Sequence, residues 1–174
     1  MRKKIVAGNW KMNKTESESV WLINEIKAQK LNENVNVFIA PTFVNLASAV
    51  KSTKDSEIKV VAQNMHQSSS GAYTGEISAS MLLDIGVKHV ILGHSERRAY
   101  FGETDLLLKE KVQAALGAGL QVIFCFGEEL DDRKSGVHFD VVKQQLSTAL
   151  FDLDELQSVS YTHLTLPTTS WGLV

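Results

Sequence analysis

The sequence predicts an α/β fold of five successive β-α units built on a parallel sheet, and three observations support this. Five short apolar runs rich in β-branched residues recur along the 174 residues, at 5–8, 35–40, 58–63, 89–93 and 120–126. Each run is apolar on consecutive positions rather than alternating ones, the pattern of strands buried on both faces. A stretch with helical spacing follows each run, so the chain advances in units of roughly 30 residues, the length of one β-α unit.

The elements follow in order. After the first run, Thr15 and Glu18 form a capping box, and Val20, Leu22, Ile23 and Ile26 supply an apolar face at helical spacing. Between the third and fourth runs, residues 64–80 form a long segment with no clear periodicity, including Ser68-Ser69-Ser70-Gly71-Ala72-Tyr73-Thr74-Gly75-Glu76. Loops of this length are usually functional or interfacial. After the fourth run, Ser95 is the expected N-cap of a helix. Leu108, Val112, Ala115 and Leu116 then mark a helix that Gly117 and Gly119 stop before the fifth strand. Val142, Leu146, Ala149 and Leu150 mark one more. Five such units suit either a complete doubly wound sheet or part of an eight-unit barrel, which needs about 250 residues. Length and periodicity favour the first.

Composition narrows the function. The chain is 44% apolar and 22% charged, with 18 Lys+Arg against 20 Asp+Glu, a formal charge of −2. That balance lacks the basic field of a nucleic-acid binder and gives no attraction to an anionic membrane. Cys125 is the one cysteine, so no intramolecular disulfide forms, and no CxxC or His-rich spacing suggests a metal. A cytoplasmic location is expected. Arg2, Lys3 and Lys4 precede too short an apolar run for a signal peptide, and no segment approaches the 18 apolar residues of a membrane span.

In either architecture the functional groups gather at the C-terminal ends of the strands. After the first strand comes Gly8-Asn9-Trp10-Lys11-Met12-Asn13, where a nucleotide binder would carry a glycine-rich phosphate loop. Lys11 beside a polar amide suits an anionic substrate instead. After the fourth strand comes Gly93-His94-Ser95-Glu96-Arg97-Arg98. A histidine at a helix N-terminus faces backbone N–H groups that disfavour the imidazolium, and a neutral imidazole can donate to a carbonyl oxygen and stabilise an enediolate. The fifth strand ends Cys125-Phe126-Gly127-Glu128, and a lone buried cysteine is more often a core residue than a nucleophile.

As a set, Ala7-Gly8-Asn9-Trp10-Lys11-Met12-Asn13, Ala62-Gln63-Asn64, Gly71-Ala72-Tyr73-Thr74-Gly75-Glu76-Ile77-Ser78, Gly93-His94-Ser95-Glu96-Arg97-Arg98 and Cys125-Phe126-Gly127-Glu128 resemble the successive motifs of the triosephosphate isomerase family. The resemblance covers residues 1–157. It implies an incomplete (β/α)8 barrel and the interconversion of dihydroxyacetone phosphate and glyceraldehyde 3-phosphate through an enediolate, in glycolysis and gluconeogenesis, without cofactor or metal. By resemblance Asn9 and Lys11 bind substrate, with Lys11 offsetting its negative charge. His94 matches the family's neutral electrophile, a standard example of pKa tuning. Ser95 and Glu96 support that histidine, Glu96 pairs near Lys11, Arg97 is a structural charge partner and Cys125 a packing residue. The segment 71–78 resembles a loop that docks into a second subunit, with Thr74 reaching the partner's site, so a homodimer is implied.

The resemblance stops near residue 157. A family member continues into a sixth strand bearing a catalytic glutamate, whereas residues 158–174 hold no acidic residue and read Ser158-Val159-Ser160-Tyr161-Thr162-His163-Leu164-Thr165-Leu166-Pro167 before a further Thr-rich stretch. This stretch is expected to make neither a helix nor a catalytic strand, and to be foreign sequence. Three expectations follow: strands one and five are left as open edges, the barrel does not close, and the chain as written is inactive. The alternative is a non-catalytic protein that binds a phosphate metabolite or a partner on a five-unit scaffold.

Overall fold

A computed structural model of the chain describes residues 4–153 and 161–165. Six parallel strands pair strictly in chain order: β1 (Lys4–Asn9), β2 (Val35–Ala40), β3 (Lys59–Ala62), β4 (His89–Leu92), β5 (Gln121–Phe126) and β6 (Tyr161–Thr165). The helices between them are α1 (Glu16–Lys27), α2 (Leu46–Thr53, entered through a 3-10 turn at Phe43–Asn45), α3 (Ala79–Asp84), α4 (Ser95–Phe101), α5 (Asp105–Gly117), α6 (Leu130–Ser135) and α7 (His138–Leu150).

Strand order decides between the two architectures. A doubly wound sheet reverses its order at a switch point and carries helices on both faces. Here the order never reverses. The apolar residues also divide by face, as period-two side-chain direction requires. Ile39, Val60, Ala62, Val90, Leu92, Val122 and Phe124 pack with helical Ile23, Leu46, Leu82, Leu108 and Val112 in one large core. The alternate positions Phe38, Ala40, Val61, Ile91, Ile123 and Cys125 form a second, smaller cluster that contains no helical residue. Helices on one face only, over a sheet in sequential order, make an incomplete (β/α)8 barrel.

Local choices explain the main helices. In α1 the Glu18 carboxylate accepts from the Thr15 backbone N–H at 2.8 Å and from its hydroxyl at 3.0 Å, and the first of these bonds holds it below the usual carboxylate range. In α5 the expected stripe is buried through Leu108, Val112 and Ala115. Burying a Leu or Val side chain such as Leu108 or Val112 stabilises the fold by about 1.5–3 kcal/mol, so an Asp at Val112 would break the α5 contact with the sheet.

Two expectations about the strands are corrected. Residues 161–165 form a strand, because Tyr and β-branched Thr suit a pleated surface even where they suit no helix. Its register runs from Val122 opposite Tyr161 to Phe126 opposite Thr165, so β5 is not an open edge. The sheet therefore has six strands rather than five, and its ends are β1 and β6. Among the described residues β1 pairs only with β2, and its Val6 is 61% exposed.

Candidate active site

The C-terminal ends of β1 and β4 bring together Asn9, Lys11, His94 and Glu96. Lys11 has a left-handed backbone, φ 52°, which costs a side-chain-bearing residue about 1–2 kcal/mol. Both of its peptide groups are held by side chains. Asn9 Oδ1 accepts its N–H at 3.0 Å, and Gln63 Nε2 donates to its carbonyl at 2.9 Å and to the Ala40 carbonyl at 2.8 Å. The turn aims Lys11 Nζ at Glu96 Oε1, 2.7 Å away. The pair is half exposed, so it adds little stability, and its value lies in placing an ammonium at the strand ends.

His94 sits where Gly93 turns the chain out of β4 with φ +80°. A Cβ on Gly93 would lie 2.6 Å from the Cys125 carbonyl oxygen, so only glycine fits. Arg98 Nε donates to the Gly93 carbonyl at 2.8 Å, tying α4 back to that turn. The N-cap of α4 is His94 itself rather than Ser95, which is the first helical residue. Its imidazole takes the role that a cap hydroxyl or carboxylate normally plays, because Nδ1 accepts the Glu96 backbone N–H at 3.3 Å. A nitrogen that accepts carries no proton, which assigns the proton to Nε2 and makes the ring neutral. Burial lowers the His94 pKa below the ordinary histidine value, the Glu96 carboxylate opposes this, and the Lys11 ammonium reinforces it. Glu96 Oε2 lies 3.6 Å from Nδ1, beyond hydrogen-bond range.

Behind this group lies a buried ionic network. Glu103 Oε1 accepts from Lys111 Nζ at 2.6 Å and from Arg97 Nε at 2.7 Å, and Lys111 also donates to Asn64 Oδ1 at 3.0 Å. Burial pushes the Glu103 carboxyl up, but the Lys111 and Arg97 hydrogen bonds outweigh it and leave the group below its usual range. Asn64 follows Gln63 in the chain, so the clamp on Lys11 rests on this frame. Thr74 stands apart, exposed in the loop before α3, with no hydrogen bond or ion pair to Lys11, His94 or Glu96. In that loop His66 stacks on Tyr73 at 4.2 Å. Cys125 is buried and its thiol is pushed up to about 12 by burial, which suits packing and not attack.

Gln63, Glu103 and Lys111 have no role in the sequence reading. A signal existed for each lysine and amide: Lys111 interrupts the apolar stripe of α5, and Gln63 is a polar amide directly after a buried strand. A polar group in such a place needs a partner.

A sequence model of the family described as triosephosphate isomerase matches residues 4–162. The chain belongs to the triosephosphate isomerase family. It is 59% identical to the triosephosphate isomerase of Flavobacterium psychrophilum over 156 residues, covering 89% of this chain and 62% of that relative. The isomerase of Flavobacterium johnsoniae is 55% identical over 154 residues, 88% of this chain and 62% of the relative. That of Porphyromonas gingivalis is 50% identical over 157 residues, 89% and 62%. The chain thus spans about 62% of the length of these triosephosphate isomerases. Among the described residues no cluster of His, Cys, Asp and Glu could hold a metal ion, and no helix is long and apolar enough to cross a membrane.

Proposed function

We propose that the chain carries the electrophilic half of a triosephosphate isomerase site, for the interconversion of dihydroxyacetone phosphate and glyceraldehyde 3-phosphate. The observation that supports this most is the neutral His94 beside the Lys11 ammonium. In the reaction a base removes a proton from the carbon beside the carbonyl, and the electron pair moves onto the carbonyl oxygen as the enediolate forms. His94 Nε2–H donates to that oxygen, and a neutral donor close in pKa to the enediol can pass its proton and recover it from the neighbouring oxygen, as is established for triosephosphate isomerase. Lys11 offsets the charge of the phosphate and of the enediolate. Asn9 holds the lysine turn and faces the same site, and Glu96 keeps the ammonium in place. No cofactor takes part.

The base is the missing element. No acidic residue follows Glu155, so β6 offers no carboxylate, and loss of a positioned base costs about 10²–10⁴ in rate. We therefore assign this 174-residue polypeptide negligible turnover. The proposal extends to residues 158–174 as foreign sequence joined to a partial barrel, to a cytoplasmic role in glycolysis and gluconeogenesis, and to a homodimer in which loop 71–78 docks on a second copy with Thr74 toward its site. The exposed Tyr73 in that loop supports the last of these.

The test is titration of the chain with glycerol 3-phosphate beside a coupled isomerase assay. Expected are binding that weakens at least about tenfold in Lys11→Ala, the scale of one charge-assisted contact, and no turnover above background. Binding unaffected by Lys11→Ala would refute the site, and turnover near that of a full-length relative would refute the loss of the base. Sequencing the source locus downstream of codon 158 tests the origin of the tail.

A further inference from the structure

The isomerase reading gives Lys11 a task but does not explain what keeps it in an unfavourable backbone. Lys11 has φ 52° without being glycine, and Asn9 Oδ1 holds only its N–H side. On the carbonyl side, Gln63 Nε2 spends both of its protons, on Lys11 O and on Ala40 O. Ala40 O also accepts the Trp10 N–H at 3.1 Å, so one amide joins the turn after β1 to the end of β2 from across β3. The next residue, Asn64, is gripped by Lys111, itself fixed on Glu103. Glu103 also holds Arg97, and Arg97 adjoins Glu96, the carboxylate on Lys11 Nζ. Gln63 thus belongs to a closed ring that ties the lysine backbone and the lysine head group to one frame.

We propose that Gln63 is a positioning residue for the ammonium of Lys11, acting through its two carbonyl hydrogen bonds. The proposal rests on the isomerase reading for the use of that ammonium, but the positioning itself is a property of this chain. Without the amide's two donors the Lys11 turn relaxes to negative φ, and Nζ leaves Glu96. His94 then loses a neighbouring cation and gains an unpaired carboxylate, two changes of the same sign.

The test replaces Gln63 by Met, which keeps the length of the side chain without donors, in the full 174-residue chain. The readout is the pH titration of the labelled His94 imidazole, assigned with His94→Gln. The wild-type ring is expected to titrate below about 6.5, and Gln63→Met to raise its midpoint toward that ordinary value. Val112→Ala, which destabilises the core elsewhere, is expected to leave the midpoint unmoved. An unchanged His94 midpoint in folded Gln63→Met overturns the proposal, as does an equal rise in Val112→Ala. If Gln63→Met does not fold, Gln63→Asn, whose shorter amide cannot reach both carbonyls, is read in the same way with the same two outcomes. The isomerase reading fails separately, by glycerol 3-phosphate leaving the wild-type His94 signals untouched.

Discussion

Glu103 gives the sharpest test of how the site is supported, because the structure sets an order among three variants. Its side chain is 2% exposed and that of Lys111 is 4%, while Arg97 is 27% exposed. Glu103→Ala removes the one carboxylate that both cations share. It leaves the Lys111 ammonium buried with only Asn64 Oδ1, and breaking a buried pair in this way costs about 3–5 kcal/mol. Lys111→Met removes a cation instead, and Glu103 keeps Arg97 as its partner. That variant loses the Lys111 bonds to Glu103 and to Asn64 Oδ1 but leaves the carboxylate paired, so the loss is smaller, about 1–3 kcal/mol. Combining the two removes the stranded ammonium and leaves only Arg97, which can reach water. The double variant is therefore expected to be more stable than Glu103→Ala alone. Urea unfolding followed by far-UV circular dichroism measures this. With a slope of about 2 kcal/mol per molar, the midpoint falls by about 1.5–2.5 M in Glu103→Ala and by roughly 0.5–1.5 M in Lys111→Met. A Glu103→Ala loss no greater than that of Lys111→Met, or a double variant weaker than both, would refute the assignment of Glu103 as the shared counterion.

Three further outcomes are expected. His89 and His94 both titrate below the ordinary histidine value, His89 through burial and then the Lys59 charge, His94 through burial with Lys11 adding to it. Between the folded value and about 6.5 the unfolded chain binds more protons, so stability falls as pH drops through that window, and the urea midpoint should be lower at pH 5.5 than at pH 7.5. An equal or higher midpoint at pH 5.5 contradicts the assignment. Gly93→Ala is expected to lose about 1–3 kcal/mol from the dihedral alone, with the contact at 2.6 Å to the Cys125 carbonyl adding to it, and an unchanged midpoint would show that the turn relaxes freely. Cys125 should react with a thiol reagent only as fast as the protein opens, given its burial and a thiol near 12, and rapid modification of the folded chain would contradict its packing role.

How much was readable from the sequence depends on the range of the interaction that fixes each feature. The strand at Val35–Ala40 is predicted with its observed bounds, and those of β4 and β5 within a residue, because continuous apolar runs signal buried strands locally. Helices α3, α4 and α6 have six, seven and six residues, too short to show two turns of periodicity. The cap of α4 lies one residue before the expected Ser95, because the common caps accept with a hydroxyl, amide or carboxylate oxygen, whereas here an imidazole nitrogen accepts. Architecture was not legible from period or length. Strand order and the placement of helices on one face arise from contacts between units, and the motifs carried that information only through family resemblance. In the site, Lys11 and Glu96 are 85 positions apart, Gln63 reaches back 52 positions to Lys11, and Lys111 reaches back 47 to Asn64, so neither Gln63 nor Lys111 announces those partners.

The sixth strand shows why fold and chemistry can part company in this scaffold. Residues 161–165 pair with β5 in parallel register although the expected glutamate is absent there. Pairing is made by backbone groups and needs only β-compatible side chains, which Tyr and Thr supply. Proton abstraction, by contrast, needs a base side chain within reach of the reacting carbon, a demand that strand pairing alone does not meet. Lys11, His94, Glu96 and the Gln63 clamp still assemble, because they follow β1, β3 and β4, all within the first hundred residues. A barrel that collects its site from separate strand ends can keep the geometry at some strand ends intact independently of the side chains at others, and on the proposed reading the Lys11 and His94 side stands without a carboxylate on β6. This separation predicts ligand binding without turnover.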